Sequence, residues 1–221
     1  MSRYTVFLAD TEESKEMHFR LRHEVLCDYE QWTGVRSRGG LEYDDYDSQA
    51  AHFLIRDNRC MRWVAAWRLV VGRLDFLPIS RLSEIAACGL SPGANRNVAE
   101  LSRFLIVGGY RKSKAPQSSF SVGNEPVVML SLIHTVVEYC AQHQIEYVFA
   151  LSKRALAFVF ANHGVPMAQI GPRCDMDGYR YPYRIDLSEI RSPVSMWEGM
   201  DTRKYYKASE FMEPARKVAN Y

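Results

Sequence analysis

Residues 42–47 hold four carboxylates and two tyrosines, a composition that combines dense negative charge with aromatic bulk. Such a run is most often a solvated loop, but the tyrosines indicate a segment that is half buried. A buried carboxylate is costly unless a cation pairs with it. The sequence therefore predicts cationic partners for Glu42, Asp44 and Asp47, where a paired carboxylate can position other groups or accept a proton. Asp45, directly after Asp44, is expected to be solvated.

Three arginines meet this requirement, because each interrupts an otherwise apolar pattern. Arg22 falls inside the apolar arc of a predicted helix, where it either pairs with a buried anion or exposes its charge beyond the core. Arg68 stands in an alternating strand-like run. Glu100 and Arg103 lie in residues 98–107, a nearly continuous hydrophobic run typical of a central strand. We predict an ion network that orders the acidic loop against a sheet, with Arg68 and Arg103 mainly structural.

The spacing of Glu100 and Arg103 raises a geometric requirement. In a regular strand the two side chains would point to opposite faces, because side chains alternate. Both can serve one site only if the strand bulges between them. We predict that bulge, which would also free a backbone N–H to stabilise an oxyanion.

The elements that must position these residues alternate between strand and helix. Strand patterns cover residues 4–9, 51–56, 62–71, 98–107, 146–151, 165–170 and 179–187, and helix patterns cover residues 12–26, 80–87, 125–143 and 153–162. Residues 27–50 form a long loop that we predict to cover a substrate, and residues 108–123 form a polar loop. The tail at 192–221 is aromatic enough to pack back on the domain.

The composition is ordinary for a globular enzyme, with 47% hydrophobic and 24% charged residues among 221. Lys and Arg (28) exceed Asp and Glu (26) by only two, and no basic run indicates nucleic-acid binding. Five widely spaced cysteines without a C-x-x-C pair favour a reducing cytosol. The histidine spacing predicts no metal site. Without a signal-peptide pattern or a long apolar run, we expect a cytoplasmic protein without an integral membrane segment, and peripheral contact with a membrane stays open.

The order of elements is that of the GNAT fold, a mixed central α/β sheet flanked by helices whose central strands splay to admit the thioester arm of an acyl carrier. Within that fold, the sequence resembles the acyl-homoserine-lactone synthase (autoinducer synthase) family. The resemblance rests on eight charged and aromatic positions: Arg22, Trp32, Glu42, Asp44, Asp47, Arg68, Glu100 and Arg103. Long-chain N-acyl amino acid synthases of the exosortase-associated type share much of this pattern, and Trp32 favours the lactone synthases.

The resemblance implies an enzyme of quorum sensing. Such an enzyme moves an acyl group from acyl carrier protein, or acyl-CoA, to the amine of S-adenosylmethionine, whose carboxylate then closes a lactone and expels methylthioadenosine. No bound cofactor is implied, since S-adenosylmethionine and the acyl thioester are substrates. The alternatives are an N-acyl amino acid synthase and a non-catalytic relative that only binds acyl carrier or adenosyl ligand.

Acyl transfer to an amine needs a proton acceptor and donors for the oxyanion, but no protein nucleophile. Glu42 and Glu100 are the candidate bases. The sulfonium and ammonium of S-adenosylmethionine would suit a cluster of acids beside an aromatic face, which Trp32 could supply. A plain amino acid would instead need a cation for its carboxylate, a role that Arg22 or Arg103 could take. The substrate-binding set is Arg22, Trp32, Asp44, Asp47, Arg103 and Phe104.

The donor would dock on the second half of the chain. The sequence lacks a good glycine-rich pyrophosphate turn, which favours an acidic acyl carrier protein over coenzyme A. Its candidate docking residues are Arg111, Lys112, Lys114, Lys153 and Arg154, although a merely solvated loop explains the first three equally well. We expect a single domain over residues 1–221, with an acceptor-site half (1–107), an acyl and carrier half (108–191) and the tail.

Overall fold

In the computed structural model, the chain is described over residues 3–85, 97–108, 125–190 and 205–211. It begins with strand β1 (Tyr4–Leu8) and helix α1 (Glu12–Arg22). Thr11 caps the helix in a reciprocal capping box: its hydroxyl accepts from the Ser14 backbone N–H, and the Ser14 hydroxyl accepts from the Thr11 backbone N–H. A π-helical segment, His23–Tyr29, continues α1 past its predicted end.

The other elements follow the predicted alternation. The strands are β2 (Ser37–Arg38), β3 (Leu41–Glu42), β4 (Ala50–Asp57), β5 (Arg62–Gly72), β6 (Val98–Ile106), β7 (Tyr147–Ser152), β8 (Ala168–Gln169), β9 (Cys174–Asp175), β10 (Tyr179–Asp186) and β11 (Tyr206–Lys207). The helices are α2 (Pro78–Leu82), α3 (Glu125–Gln142) and α4 (Arg154–Asn162).

Nine of these strands form one mixed sheet in the order β11-β1-β4-β5-β6-β7-β10-β8, with β9 paired to β10. The β1–β11 and β6–β7 pairs are parallel, and the others are antiparallel. Pairing between β6 and β7 covers only Ala99–Leu101 and Val148–Ala150. Beyond it, β6 stays with β5 as far as Ile106 while β7 stays with β10 as far as Ser152. The sheet therefore splays at its centre.

The alternation predicted along β5 decides which side of the sheet carries the site. Trp67 and Leu69 enter the main core cluster together with residues of α3 and α4. Ala66 and Val70, on the opposite face with Arg68, pack against residues of α1 and α2. The network-forming arginine therefore lies on the face that α1 and α2 cover.

Several boundaries differ from the predictions. The loop predicted over 27–50 contains the β2–β3 hairpin, whose turn is made by Gly39 and Gly40 at φ 61° and 76°. The helix predicted at 80–87 begins earlier, at Pro78, since proline suits a first helical turn, and it ends at Leu82. The strand predicted at 165–170 is only Ala168–Gln169, because the chain turns to form β9.

The tail returns to the sheet where it is described. β11 pairs with β1, and the Ser209 backbone N–H donates to Asp10 at 2.8 Å, which confirms that this part of the tail packs back. The predicted polar loop after residue 108 and the rest of the tail lie outside the described residues. Among the helices that are described, none is long and apolar enough to cross a membrane. The described cysteines are Cys27, Cys60, Cys140 and Cys174, and all four are free.

Candidate active site

Arg22 is the cation that α1 contributes, and its side chain is fully buried. Its Nε donates to Glu42 Oε2, and its Nη1 donates to Asp47 Oδ1 at 2.6 Å. The arginine on the apolar arc thus meets buried anions, as one of the two readings predicted. These contacts tie α1 to both ends of the acidic segment.

Arg68 brings the same acids against the sheet. Its Nη1 and Nη2 reach the two oxygens of Asp44 at 2.6 and 2.8 Å, and Nη1 also donates to Asp47 Oδ1 at 2.5 Å. Its Nε donates to Ser102 Oγ at 3.0 Å, across the β5–β6 pair. Asp44 and Asp47 belong to the acidic segment and Ser102 belongs to β6. Arg68 therefore links that segment to two central strands.

Arg103 joins the network because β6 bulges. Ala66 pairs with Leu105 whereas Arg68 pairs with Ser102, so β6 has one extra residue there. Arg103 itself takes a left-handed conformation, with φ 52°. Its Nε donates to Glu42 Oε1 at 3.1 Å, and its Nη2 donates to Asp44 Oδ2 at 3.0 Å. The predicted bulge is therefore present, and it places Arg103 among the partners of Arg68.

The finished network pairs three arginines with three acids: Arg22, Arg68 and Arg103 with Glu42, Asp44 and Asp47. Burial would raise the pKa of Asp47, but Arg22 and Arg68 outweigh burial and hold that pKa far below its usual range. The network is thus formally neutral. Asp45 remains outside it with a side chain 90% exposed, as expected.

Two histidines that the sequence did not single out lie beneath the network. His18 Nε2 donates to the Trp67 carbonyl at 3.1 Å, and His52 Nε2 donates to the Asp47 carbonyl at 3.0 Å. Burial lowers the pKa of both rings, that of His52 to about 4. Both are therefore neutral near pH 7, and they add no charge to the balanced network. The signal in the sequence was the position of His52 within the otherwise apolar start of β4.

Glu100 stands apart from the three paired acids. It lies one residue before the end of β6–β7 pairing and is 2% exposed. Its Oε2 accepts from the Ile79 backbone N–H at 2.7 Å, while its other oxygen accepts no hydrogen bond from any residue that the structure describes. Burial raises the pKa of Glu100 to about 7, against the opposing effects of the Ile79 N–H, Arg68 and Arg103.

The two carboxylates predicted as bases therefore differ in what they can do. Glu42 is fully buried with one oxygen held by Arg22 and the other by Arg103. Glu100 has an oxygen without such a partner and titrates near neutrality, which is the condition for a proton acceptor.

Trp32 lies three residues after the end of the π-helical segment and packs against the core cluster that includes Leu21 of α1. The guanidinium of Arg180, from β10, stands 4.7 Å from the centre of its ring. The next residue, Thr33, donates from its backbone N–H and its hydroxyl to Asp177 Oδ1 at 3.1 and 3.2 Å. Arg180, from the second half of the chain, thus contacts Trp32 of the first half, which no sequence pattern indicated.

The remaining predicted residues lie elsewhere. Phe104 packs against the main core cluster. Lys153 and Arg154 are exposed at the start of α4, where Arg154 stands 4.3 Å from the ring centre of Tyr181. Arg111, Lys112 and Lys114 lie outside the described residues. Within the described ranges, no group of three or more metal-binding side chains is arranged for an ion.

Comparison with known proteins agrees with this geometry. The profile of the acetyltransferase (GNAT) domain matches residues 21–120. An acyl-homoserine-lactone synthase of Vibrio anguillarum is 22% identical over 154 residues, 70% of this chain and 75% of that protein. The CoA-dependent acyl-homoserine lactone synthase BjaI, solved with SAM and isopentyl-CoA, superimposes with a TM-score of 0.70 and 21% identity over 92% of this chain and 93% of that one. FeeM, an N-acyl amino acid synthase from uncultured soil microbes, gives a TM-score of 0.59 and 14% identity over 88% and 97% of the respective chains.

The splayed mixed sheet and these matches define the fold as that of the GNAT acyltransferases, as predicted. The resemblance to the acyl-homoserine-lactone synthases, predicted from the charged and aromatic residues, is likewise confirmed: a curated synthase matches in sequence and solved synthases match in structure.

Proposed function

We propose that this chain is an N-acyltransferase that moves an acyl group from a thioester to the amine of S-adenosylmethionine, followed by lactonisation to N-acyl-homoserine lactone and release of methylthioadenosine. Support comes from the Vibrio anguillarum synthase and from BjaI, whose structure contains SAM and isopentyl-CoA. We propose that the enzyme acts in the cytoplasm, the compartment that its widely spaced cysteines favour.

The observation that carries this proposal is the position of Glu100 at the point where β6 and β7 separate. In a GNAT fold a thioester carbonyl enters such a gap. The acceptor amine attacks that carbonyl and forms the C–N bond, Glu100 takes the amine proton, and the C–S bond breaks as the proton passes to the departing thiolate. A carboxylate with a pKa of about 7 can both receive and return that proton near neutral pH.

The ion network serves this reaction by position. Since its arginines and acids neutralise one another, Glu42 and Asp47 act as supports that fix the acidic segment and the β6 bulge. Arg103 and Asp44 are the members that solvent reaches most, with side chains 15% and 19% exposed. We assign the direct contacts with the acceptor to Arg103 and Asp44. Arg22 positions them indirectly, because it holds Glu42 and Asp47.

A second candidate is an N-acyl amino acid synthase, and two observations favour it. FeeM shares the fold. The network also leaves no spare negative charge to complement a sulfonium, because each acid is already paired with arginine. A free amino acid lacks the sulfonium and would not need that complement.

The donor is the second open choice. Exposed Lys153 and Arg154 would attract an acidic acyl carrier protein, which we propose as the donor. BjaI and MesI, both described as CoA-dependent, support acyl-CoA instead. A Lys153→Ala, Arg154→Ala variant should raise KM for acyl carrier protein but leave KM for acyl-CoA unchanged.

The deciding experiment measures thiol release from acyl carrier protein and from acyl-CoA, each with S-adenosylmethionine or with single amino acids, and identifies the products by mass spectrometry. Release that requires S-adenosylmethionine and yields methylthioadenosine is the expected result. Turnover with a free amino acid alone would overturn it in favour of the second candidate. If every arm is inactive although the protein binds a donor, the chain is a non-catalytic relative.

A further inference from the structure

Arg180 is a cation near the site that forms no ion pair with a carboxylate of the described residues. Arg22, Arg68 and Arg103 each contact two acids. Arg180 instead uses Nε to donate to the Met176 carbonyl at 2.8 Å and lays its guanidinium over Trp32. In the described part of the chain no carboxylate lies within ion-pair distance of it, so its two terminal nitrogens remain available.

The position of Arg180 is fixed from both sides. On its own side, β10 pairs Arg180 with Cys174 of β9, through a turn in which Asp177 and Gly178 have φ values of 48° and 96°. On the other side, the Trp32 ring that Arg180 covers is held in place, because the Trp32 backbone N–H donates to the Leu26 carbonyl at 2.9 Å. A guanidinium held in this way loses little conformational entropy when a ligand binds.

The electrostatic surroundings favour an anion. Burial lowers the pKa of Arg180 and the charge of Arg103 acts in the same direction, while Asp177, Cys174 and Glu30 oppose both effects. Because the net effect on Arg180 is a lowered pKa, a negative group bound to its guanidinium would stabilise that charge. A sulfonium is disfavoured on the ring face of Trp32 that Arg180 covers, because the two cations would repel.

We propose that Arg180 binds the carboxylate of the acyl acceptor and so selects acceptors that carry one. This inference rests on the proposed function for the identity of the reaction. Trp32 packs on the face of the sheet that holds the network, to which the proposed function assigns the acceptor. The planar guanidinium fork matches a carboxylate, and both candidate acceptors, S-adenosylmethionine and an amino acid, carry one beside the reacting amine.

The test compares two ligands that differ only in this group, S-adenosylmethionine and decarboxylated S-adenosylmethionine, by calorimetric titration. Wild-type protein should prefer S-adenosylmethionine by about ten- to a hundredfold, as expected for a charge-assisted hydrogen bond. Arg180→Gln should remove that preference by weakening S-adenosylmethionine alone. Arg180→Lys, which keeps the charge but not the fork, should retain part of it.

Arg173→Gln is the matched control, since Arg173 also stands over an aromatic ring, Tyr179 at 4.1 Å, in the same segment. It should leave both affinities unchanged. The proposal is overturned if Arg180→Gln weakens the binding of both ligands equally, or if the variant still prefers S-adenosylmethionine. It is also overturned if the variant raises only the KM for the acyl donor, because that result would assign Arg180 to the phosphates of the donor. If wild-type protein binds neither adenosyl ligand, the proposed acceptor is wrong. Arg180 is then tested by comparing the affinities for an amino acid and for the corresponding amino acid amide, which lacks the carboxylate. Equal affinities for those two ligands would also overturn the proposal.

Discussion

Arg68 and Asp44 form a two-point ion pair, in which Nη1 and Nη2 of the guanidinium reach Oδ1 and Oδ2 of the carboxylate at 2.6 and 2.8 Å. The side chain of Arg68 is 1% exposed. Burial would lower the pKa of Arg68, but Asp44 and Asp47 outweigh burial and raise it above its usual range. The pair fastens the acidic segment to β5, so its energetic role is to order the site.

Replacing Arg68 with methionine should lower the free energy of unfolding by about 3 to 5 kcal/mol, because Asp44 and Asp47 would remain largely buried without this cation. Urea unfolding of wild type and variant measures the loss. Arg73→Met is the matched control, since Arg73 also holds Asp75 through two contacts, at 3.1 and 3.0 Å, but both side chains are more than half exposed. Arg73→Met should lower the free energy of unfolding by less than about 1 kcal/mol. Equal losses for the two variants would contradict a buried network.

Much of this arrangement was predictable because local periodicity encodes it. The alternation of apolar and polar residues placed Arg68 on one face of β5, and the helical arc placed Arg22 toward the core. The bulge followed from the requirement that Glu100 and Arg103 serve one site. A segment with an unusual composition, residues 42–47, indicated where the arginines would converge.

The rest depended on contacts that no local pattern encodes. Thr33 and Asp177 are 144 residues apart, and their hydrogen bond brings Arg180 over Trp32 only after the sheet has assembled. The difference between Glu42 and Glu100 was equally hidden, because it depends on which carboxylate oxygens the arginines and the Ile79 N–H occupy. The β2–β3 hairpin was missed although its two glycines are a recognised turn signal.

The left-handed conformation of Arg103 predicts an unusual order of stability between two variants. Arg103→Gly and Arg103→Ala both lose the contacts with Glu42 and Asp44, but only glycine adopts φ 52° without steric cost. The glycine variant should therefore be more stable than the alanine variant by about 1 kcal/mol in urea unfolding.

Ser102 supplies the comparison, because it precedes the bulge and pairs regularly with Arg68. There the order should reverse, with Ser102→Gly less stable than Ser102→Ala by about 0.5 to 1 kcal/mol. If Arg103→Ala is as stable as Arg103→Gly or more stable, the backbone at position 103 does not hold a left-handed conformation.

Glu100→Gln should reduce the rate of acyl transfer by about 10²- to 10⁴-fold, because the amide cannot take the amine proton. The fold should persist, since the glutamine carbonyl can still accept from the Ile79 N–H and no charge is buried. Initial rates of thiol release, with thermal melting of the same samples, measure both effects. A rate that falls only in proportion to the folded fraction would remove Glu100 from the chemistry.

The same change at Glu42 should act in the opposite way. Glu42→Gln removes one of the three negative charges that balance Arg22, Arg68 and Arg103, so the unfolding free energy should fall by about 3 to 5 kcal/mol. Activity per folded molecule should fall less than for Glu100→Gln. Equal stability of the two variants, followed in urea, would contradict the separation of a base from a supporting carboxylate.

The pKa of Glu100 connects activity and stability with opposite signs. As pH rises through about 7 the carboxylate ionises, so kcat/KM should increase. Because the folded-state pKa is raised from 4.5 to about 7, the contribution of Glu100 to stability is fully present below about pH 4.5 and declines as pH rises through that window. Relative to Glu100→Gln, wild-type protein should therefore be more stable near pH 5 than near pH 8, which urea unfolding at each pH measures.

The acceptor amine, which titrates near 8, should still inflect the pH profile of the rate in the variant, whereas the inflection near pH 7 should vanish. Parallel pH profiles for the two proteins, in rate or in stability, would show that this carboxylate does not titrate at the site.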